Sequence, residues 1–155
     1  MESKNIDSLK KAKEYAFLLL KFRARSEKEI YQRLKKKKFN EEIIKQAVAF
    51  LKEKNFIDDN YFAKAWIESR LRRPLGLRRI KEELRLKGVD KEIINSQIEK
   101  IKEGYCEEEI VLKLAKARLS KLKGIEPRKA KSRVFTYLLR RGFSPEIVIE
   151  VMNQL

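Results

Sequence analysis

Three segments of this chain align without gaps and repeat the same order of residue types, and that repetition limits the possible folds more than any other feature. Leu34, Phe39, Asn40, Ile43 and Ile44 are matched by Leu84, Val89, Asp90, Ile93 and Ile94, and again by Leu138, Phe143, Ser144, Ile147 and Val148. In each copy an apolar residue closes a basic helix and a hydrophobe marks the turn. Asn, Asp or Ser then stands where a side chain should cap the next helix, ahead of Glu and two branched apolar residues. Gly88 and Gly142 fall where a helix C-terminus turns left-handed, and Lys38 takes that place in the first copy, where a side chain makes the conformation more costly. Another helical stretch precedes each pair, at Leu9 to Phe22, Tyr61 to Arg72 and Ile110 to Leu122.

The pattern predicts an all-α chain of three tandem three-helix, helix-turn-helix-like repeats (residues 1–56, 57–104 and 105–155) forming an elongated, curved array. Leu34, Leu84 and Leu138 are one expected set of buried equivalents, and Ile43, Ile93 and Ile147 a second. Ser26 and Glu29 read as a capping box, and Asp58 or Asp59 as the cap of the helix at Tyr61. Five Gly and three Pro in 155 residues, with 40% charged side chains, agree with helices and speak against β architectures, while 43% apolar residues suffice for a core.

Several functions are excluded by absence. The chain has no His and a single Cys, Cys106. His-based triads, His general bases, Cys/His zinc sites and an intrachain disulfide are therefore ruled out. Cys106 sits among acids, which disfavours a reactive thiolate. The longest apolar stretch, Ala16 to Leu20, falls far short of the roughly 18 residues of a membrane span, and the N-terminus lacks a secretory apolar region. A cytoplasmic, membrane-free monomer is expected. With no GxxxxGK[ST] loop, no nucleotide hydrolysis, catalytic residue, metal or cofactor is expected either.

Charge points to a partner. Lys and Arg number 39 against 23 acids, a net charge of +16 that calls for an anionic ligand. The densest signal is Arg70, Arg72, Arg73, Arg78, Arg79, Lys81, Arg85 and Lys87, eight cations against two acids. Arg presents planar forks suited to phosphate, and neutralising phosphates releases counterions. Lys35 and Lys36, within a run that also complements a helix C-terminus, and Arg140 and Arg141 extend the candidate DNA- or filament-binding set. These cations lie on or beside the second helix of each repeat. The third helices, Glu41 to Lys54 and Lys91 to Glu103, open with acidic residues and carry few base-reading side chains. That distribution favours backbone contact, or a nucleoprotein surface, over base readout. The alternative is a tandem helix-turn-helix transcriptional regulator. Phe62 and Trp66, four apart, read as core and not as a stacking platform for single-stranded DNA. Asp58-Asp59 and Glu107 to Glu109 sit at helix starts, where capping accounts for them without a nuclease metal site.

From Phe56 through Asp58, Asp59, Phe62, Ala63, Trp66, Arg70, Arg72, Arg73, Gly76, Arg78, Arg79, Leu84, Lys87, Gly88 and Val89, the sequence closely resembles the RecX family of bacterial recombination regulators. The likeness continues through Ala115 to Leu122 and Tyr137 to Ser144 and covers the chain from about Leu9. Lys38 departs from the glycine of the other copies. The resemblance implies a non-enzymatic modulator of the RecA recombinase that lodges in the groove of the RecA–DNA filament. There it restrains ATPase, strand-exchange and coprotease activities in homologous recombination, DNA repair and the SOS response. It also implies binding to single- and double-stranded DNA with little sequence preference.

Overall fold

A computed structural model describes residues 2–155. Its described residues form nine α-helices and no strand: α1 Glu2–Phe22, α2 Glu27–Lys36, α3 Glu41–Glu53, α4 Asp59–Leu71, α5 Leu77–Leu86, α6 Lys91–Lys102, α7 Glu107–Ser120, α8 Pro127–Arg140 and α9 Pro145–Gln154. The fold is all-α, with three tandem three-helix repeats in the predicted order. Helix α1 starts earlier than the apolar spacing suggested. Residues 2 to 8 contain no Gly or Pro to break a helix, and the turn is braced by an Asp7–Lys11 ion pair at 3.2 Å. Ile6 is exposed, so nothing in that turn registers as an apolar face.

The three turns are the same structure built three times. Phe39, Val89 and Phe143 each donate their backbone N–H to Leu34, Leu84 and Leu138, at 3.3, 3.2 and 3.3 Å. Lys38, Gly88 and Gly142 donate to Lys35, Arg85 and Leu139, at 2.9, 3.0 and 3.0 Å. This six-to-one and five-to-two pair is the Schellman ending, which satisfies otherwise orphaned helix carbonyls. All three turning residues are left-handed, with φ of 68° at Lys38, 79° at Gly88 and 91° at Gly142. The lysine therefore adopts the glycine conformation. Asn55, with φ 59°, closes α3 in the same way, a stop the sequence reading did not mark.

Beyond the turn, Asn40 Oδ1 accepts from the Ile43 N–H at 2.9 Å and Ser144 Oγ from the Ile147 N–H at 3.3 Å. Ser26 and Glu29 form the expected reciprocal capping box. Leu34, Leu84 and Leu138 are all fully buried. The second expected set needs correction. Ile43 is buried, but Ile93 and Ile147 are only partly so, and the fully equivalent core positions are the next residues, Ile44, Ile94 and Val148. Ile93 and Ile147 instead line open clefts beside the residues that start α4 and α7.

The chain divides into two compact units, one built from Met1–Trp66 and Leu84–Ile94, the other from Ile67–Glu83 and Asn95–Leu155. In the first, Ala12, Ala16 and Leu19 of α1 join Ile30 and Leu34 of α2 and Ile44, Ala47 and Leu51 of α3. The methyl side chains of Ala12 and Ala16 let α1 approach α3 closely. In the second, Val111 and Ala115 of α7 join Val134 and Leu138 of α8, Phe143, and Val148 and Val151 of α9.

Within each unit a second helix meets the end of another. In the first, Ser26 Oγ donates to the Lys87 carbonyl at 2.6 Å, so α5 ends against the start of α2. In the second, Gly76 and Arg78 donate their N–H groups to the carbonyls of Arg141 and Gly142, at 2.8 and 3.2 Å, so α8 ends against the start of α5. A Cβ at Gly76 would collide with the Gly142 backbone, and one at Gly142 with Arg79. Acids complete both junctions. Asp59 Oδ1 accepts from the Glu27 N–H at 2.9 Å, and Glu107 Oε1 from the Leu77 N–H at 2.6 Å. Asp59 and Glu107 thus cap the second helix of the preceding repeat, while Asp58 caps α4 through the Asn60 N–H at 2.9 Å.

Two expectations follow. Gly124 is also left-handed, with φ 93°, but open space surrounds it. Gly124→Ala should cost about 1–2 kcal/mol of conformational strain, and Gly142→Ala clearly more, as measured by urea denaturation. Burial raises the Asp59 carboxyl above its ordinary range, against the lowering effect of the Glu27 N–H. A raised carboxyl favours the fold below the unfolded value near 3.9, and that contribution disappears as pH climbs through the folded value. Asp59→Asn keeps an acceptor for the Glu27 N–H without the buried charge. Its melting temperature relative to the parent should therefore be higher at pH 7 than at pH 3, whereas Asp59→Ala should lose about 1 kcal/mol.

Candidate nucleic-acid interface

The eight cations from Arg70 to Lys87 fall into distinct structural roles. Arg70, near the end of α4, donates from Nε to Glu83 at 2.9 Å, and Arg79 on α5 reaches the other oxygen of the same carboxylate at 3.3 Å. The Glu83 side chain is only 19% exposed, which strengthens both pairs relative to a fully solvated one. The Arg70 pair therefore ties α4 to α5, while the Arg79 pair lies within α5 itself. Arg72 and Arg73 lie exposed where α4 gives way to the α5 entry, Arg78 is exposed in the first turn of α5, and Lys81 is partly buried.

Arg85 and Lys87 belong to the first unit, as do the exposed Lys35 and Lys36 at the end of α2. Lys87 is a clamp. Its ammonium lies 3.3 Å from Glu29 and 5.2 Å from the centre of the Trp66 ring. Arg23 pairs with the same Glu29. Burial opposes ionisation of Glu29, but the Arg23 bond, the Ser26 N–H and Lys87 outweigh it and hold the carboxyl below its ordinary range. Phe62 is buried as expected, and Trp66 stacks on it at 5.8 Å. Tyr61, beside them in sequence, is 66% exposed.

Of the acids at helix starts, Asp58, Asp59 and Glu107 serve as caps, as described above. Tyr105 supports the second junction, donating its hydroxyl to the Leu75 carbonyl at 2.8 Å. Burial, with Glu107 nearby, pushes that hydroxyl up to about 12, so it stays protonated at physiological pH. Cys106 is exposed and free.

In the third repeat, Arg140 is exposed and Arg141 partly covered, its guanidinium 5.3 Å from the centre of Tyr137. The sequence reading missed the cations around them. Between Ile110 and Phe143 there are eleven Lys and Arg and one acid, Glu126, a larger excess than in the middle stretch but spread over 34 residues. Counting charge over a whole helical hairpin would have found it.

Three family descriptions cover most of the chain in register with these repeats: the first three-helix domain of RecX over residues 12–51, the second over 58–96 and the third over 107–152. The chain belongs to the RecX family. The regulatory protein RecX of Clostridium beijerinckii is 31% identical over 151 residues, spanning 96% of this chain and 70% of the relative. That of Caldanaerobacter subterraneus is 32% identical over 149 residues, spanning 96% and 73%. The crystal structure of RecX from Lactobacillus salivarius has the same fold, with a TM-score of 0.85, 22% identity and 97% coverage of both chains. The RecX relatives are regulatory proteins, not enzymes. Among the described residues of this member, no helix is long and apolar enough to cross a membrane.

The Glu83 pairs make a prediction about this RecX protein. Arg70→Glu would set a carboxylate against Glu83 and should cost about 1 kcal/mol or more, whereas Arg73→Glu should change stability by no more than about 0.5 kcal/mol. Thermal denaturation of the two variants side by side checks this.

Proposed function

We propose that this protein regulates the RecA recombinase by binding its DNA filament in the cytoplasm, as a monomer, and slowing RecA ATP hydrolysis, strand exchange and coprotease activity. Membership of the RecX family carries this reading. The physics supports it, because a chain of net charge +16 is drawn to a filament built around a polyanion. Contact through Arg72, Arg73, Arg78 and Lys81, with Arg85, Lys35, Lys36, Arg140 and Arg141, would engage phosphates and acidic side chains without reading bases. Arg70 and Arg79 in one unit and Lys87 in the other are held by ion pairs instead. DNA, single- or double-stranded, is then bound with little sequence preference. The acidic starts of α3, α6 and α9, at Glu41, Glu92 and Glu146, weigh against a base-reading transcriptional regulator.

DNA-dependent ATP hydrolysis by RecA, followed as the protein is titrated in, tests the proposal. The expected outcome is slower turnover without any ATP hydrolysis by the protein alone. Combined Arg72→Glu, Arg73→Glu and Arg78→Glu should relieve the inhibition while circular dichroism stays helical. Unchanged RecA turnover at saturating protein would sink the proposal. Undiminished inhibition by the folded triple variant would move the contact surface elsewhere.

A further inference from the structure

The third repeat carries a basic face that none of the functional readings above uses as a whole. On α8, Ala130, Val134 and Leu138 are buried against the core. Lys129, Arg133 and Arg140 are exposed on the flank. At 3.6 residues per turn, those three positions fall within about 40° of one another around the helix axis. At 1.5 Å per residue they span about 16 Å, on the order of five nucleotide rises of a duplex strand. Lys129, Arg133 and Arg140 make no ion pair among the described residues. They contrast in this with Arg70, Arg79 and Lys87.

Tyr137 adjoins the stripe and fixes its edge. The Arg118 guanidinium of α7 lies 4.2 Å from the ring centre and that of Arg141 lies 5.3 Å away. Held on an aromatic ring, these two cations lose less freedom on meeting a ligand than mobile lysines would. Because the arginines already occupy the ring, it is not a platform for bases. Like charges gathered at this density repel one another, and that repulsion is relieved by a polyanion whose charges recur along a line.

We propose that the α7–α8 face of the third repeat, through Lys129, Arg133 and Arg140 with Arg118 and Arg141 beside them, is a binding surface for the nucleic-acid sugar-phosphate backbone. This rests on the reading above that the protein meets DNA, and extends that contact from Arg140 and Arg141 along α8 to Lys129, Arg133 and the neighbouring Arg118. Readout is of phosphate, so affinity is indifferent to base sequence.

The test is fluorescence anisotropy of the full-length protein with a mixed-sequence 30-base-pair duplex, and with one of its strands alone, across a KCl series. Combined Lys129→Glu, Arg133→Glu and Arg140→Glu should weaken binding to both probes at least tenfold and flatten the log affinity against log salt slope by about 2–3. Combined Lys45→Glu, Lys64→Glu and Lys100→Glu, an equal change of net charge at exposed positions elsewhere, should do much less. Equal losses in the two variants would mean that only net charge matters and overturn the assignment. So would full affinity in the stripe variant, or a loss confined to phosphatidylserine vesicles tested in parallel. If the Glu variant does not give a helical spectrum, the Gln version of the same three positions replaces it, with the same expected direction. Absence of DNA binding by the parent protein would instead overturn the DNA part of the functional reading as well. Failure of the stripe variant alone leaves inhibition of RecA standing.

Discussion

A helix end leaves backbone groups without partners, and in this protein the ends of the second helices satisfy one another. The N–H groups of Gly76 and Arg78 meet the carbonyls of Arg141 and Gly142 just beyond α8, and the Ser26 hydroxyl meets the Lys87 carbonyl just beyond α5. Such backbone-to-backbone approach leaves no space for a side chain at Gly76 or Gly142. The same contact explains the acids that begin the following repeats, because Asp59 and Glu107 supply the remaining acceptors for α2 and α5. Ser26 shows how tightly the groups are shared. Its fully buried oxygen accepts from the Glu29 N–H while its proton goes to Lys87, so one hydroxyl serves both a local cap and a contact 61 residues away.

Once the junctions are set, the cations divide by what lies beside them. Glu83 draws in Arg70 and Arg79, and Glu29 draws in Arg23 and Lys87. Those four stabilise the fold from positions that a charge count alone would assign to ligand binding. From Ile110 to Phe143 the one acid is Glu126, and the cations there face water or the Tyr137 ring. The same residue types thus hold the structure in one place and present charge in another, and the difference lies in the nearest carboxylate.

The helices, their turns and the caps at Ser26, Asn40, Asp58 and Ser144 were legible in the sequence, because those depend on neighbours within about five positions. The repeated Leu34, Leu84 and Leu138 reported their own burial, and Gly88 and Gly142 their own left-handed turn. Even Lys38 could be placed in that turn, since two glycine copies showed what the backbone requires. The second buried set was misplaced by one residue, because Ile93 and Ile94 look alike in sequence and only packing decides which of them faces a cleft. Only packing decided that Asp59 and Glu107 cap helices about thirty residues before them, that Arg70 joins Arg79 on Glu83, and that Arg118 of α7 reaches the Tyr137 ring beside the α8 stripe. Each of these needs a distance between groups far apart in sequence or on different helices, and a pattern of residue types carries no distances beyond the helical turn.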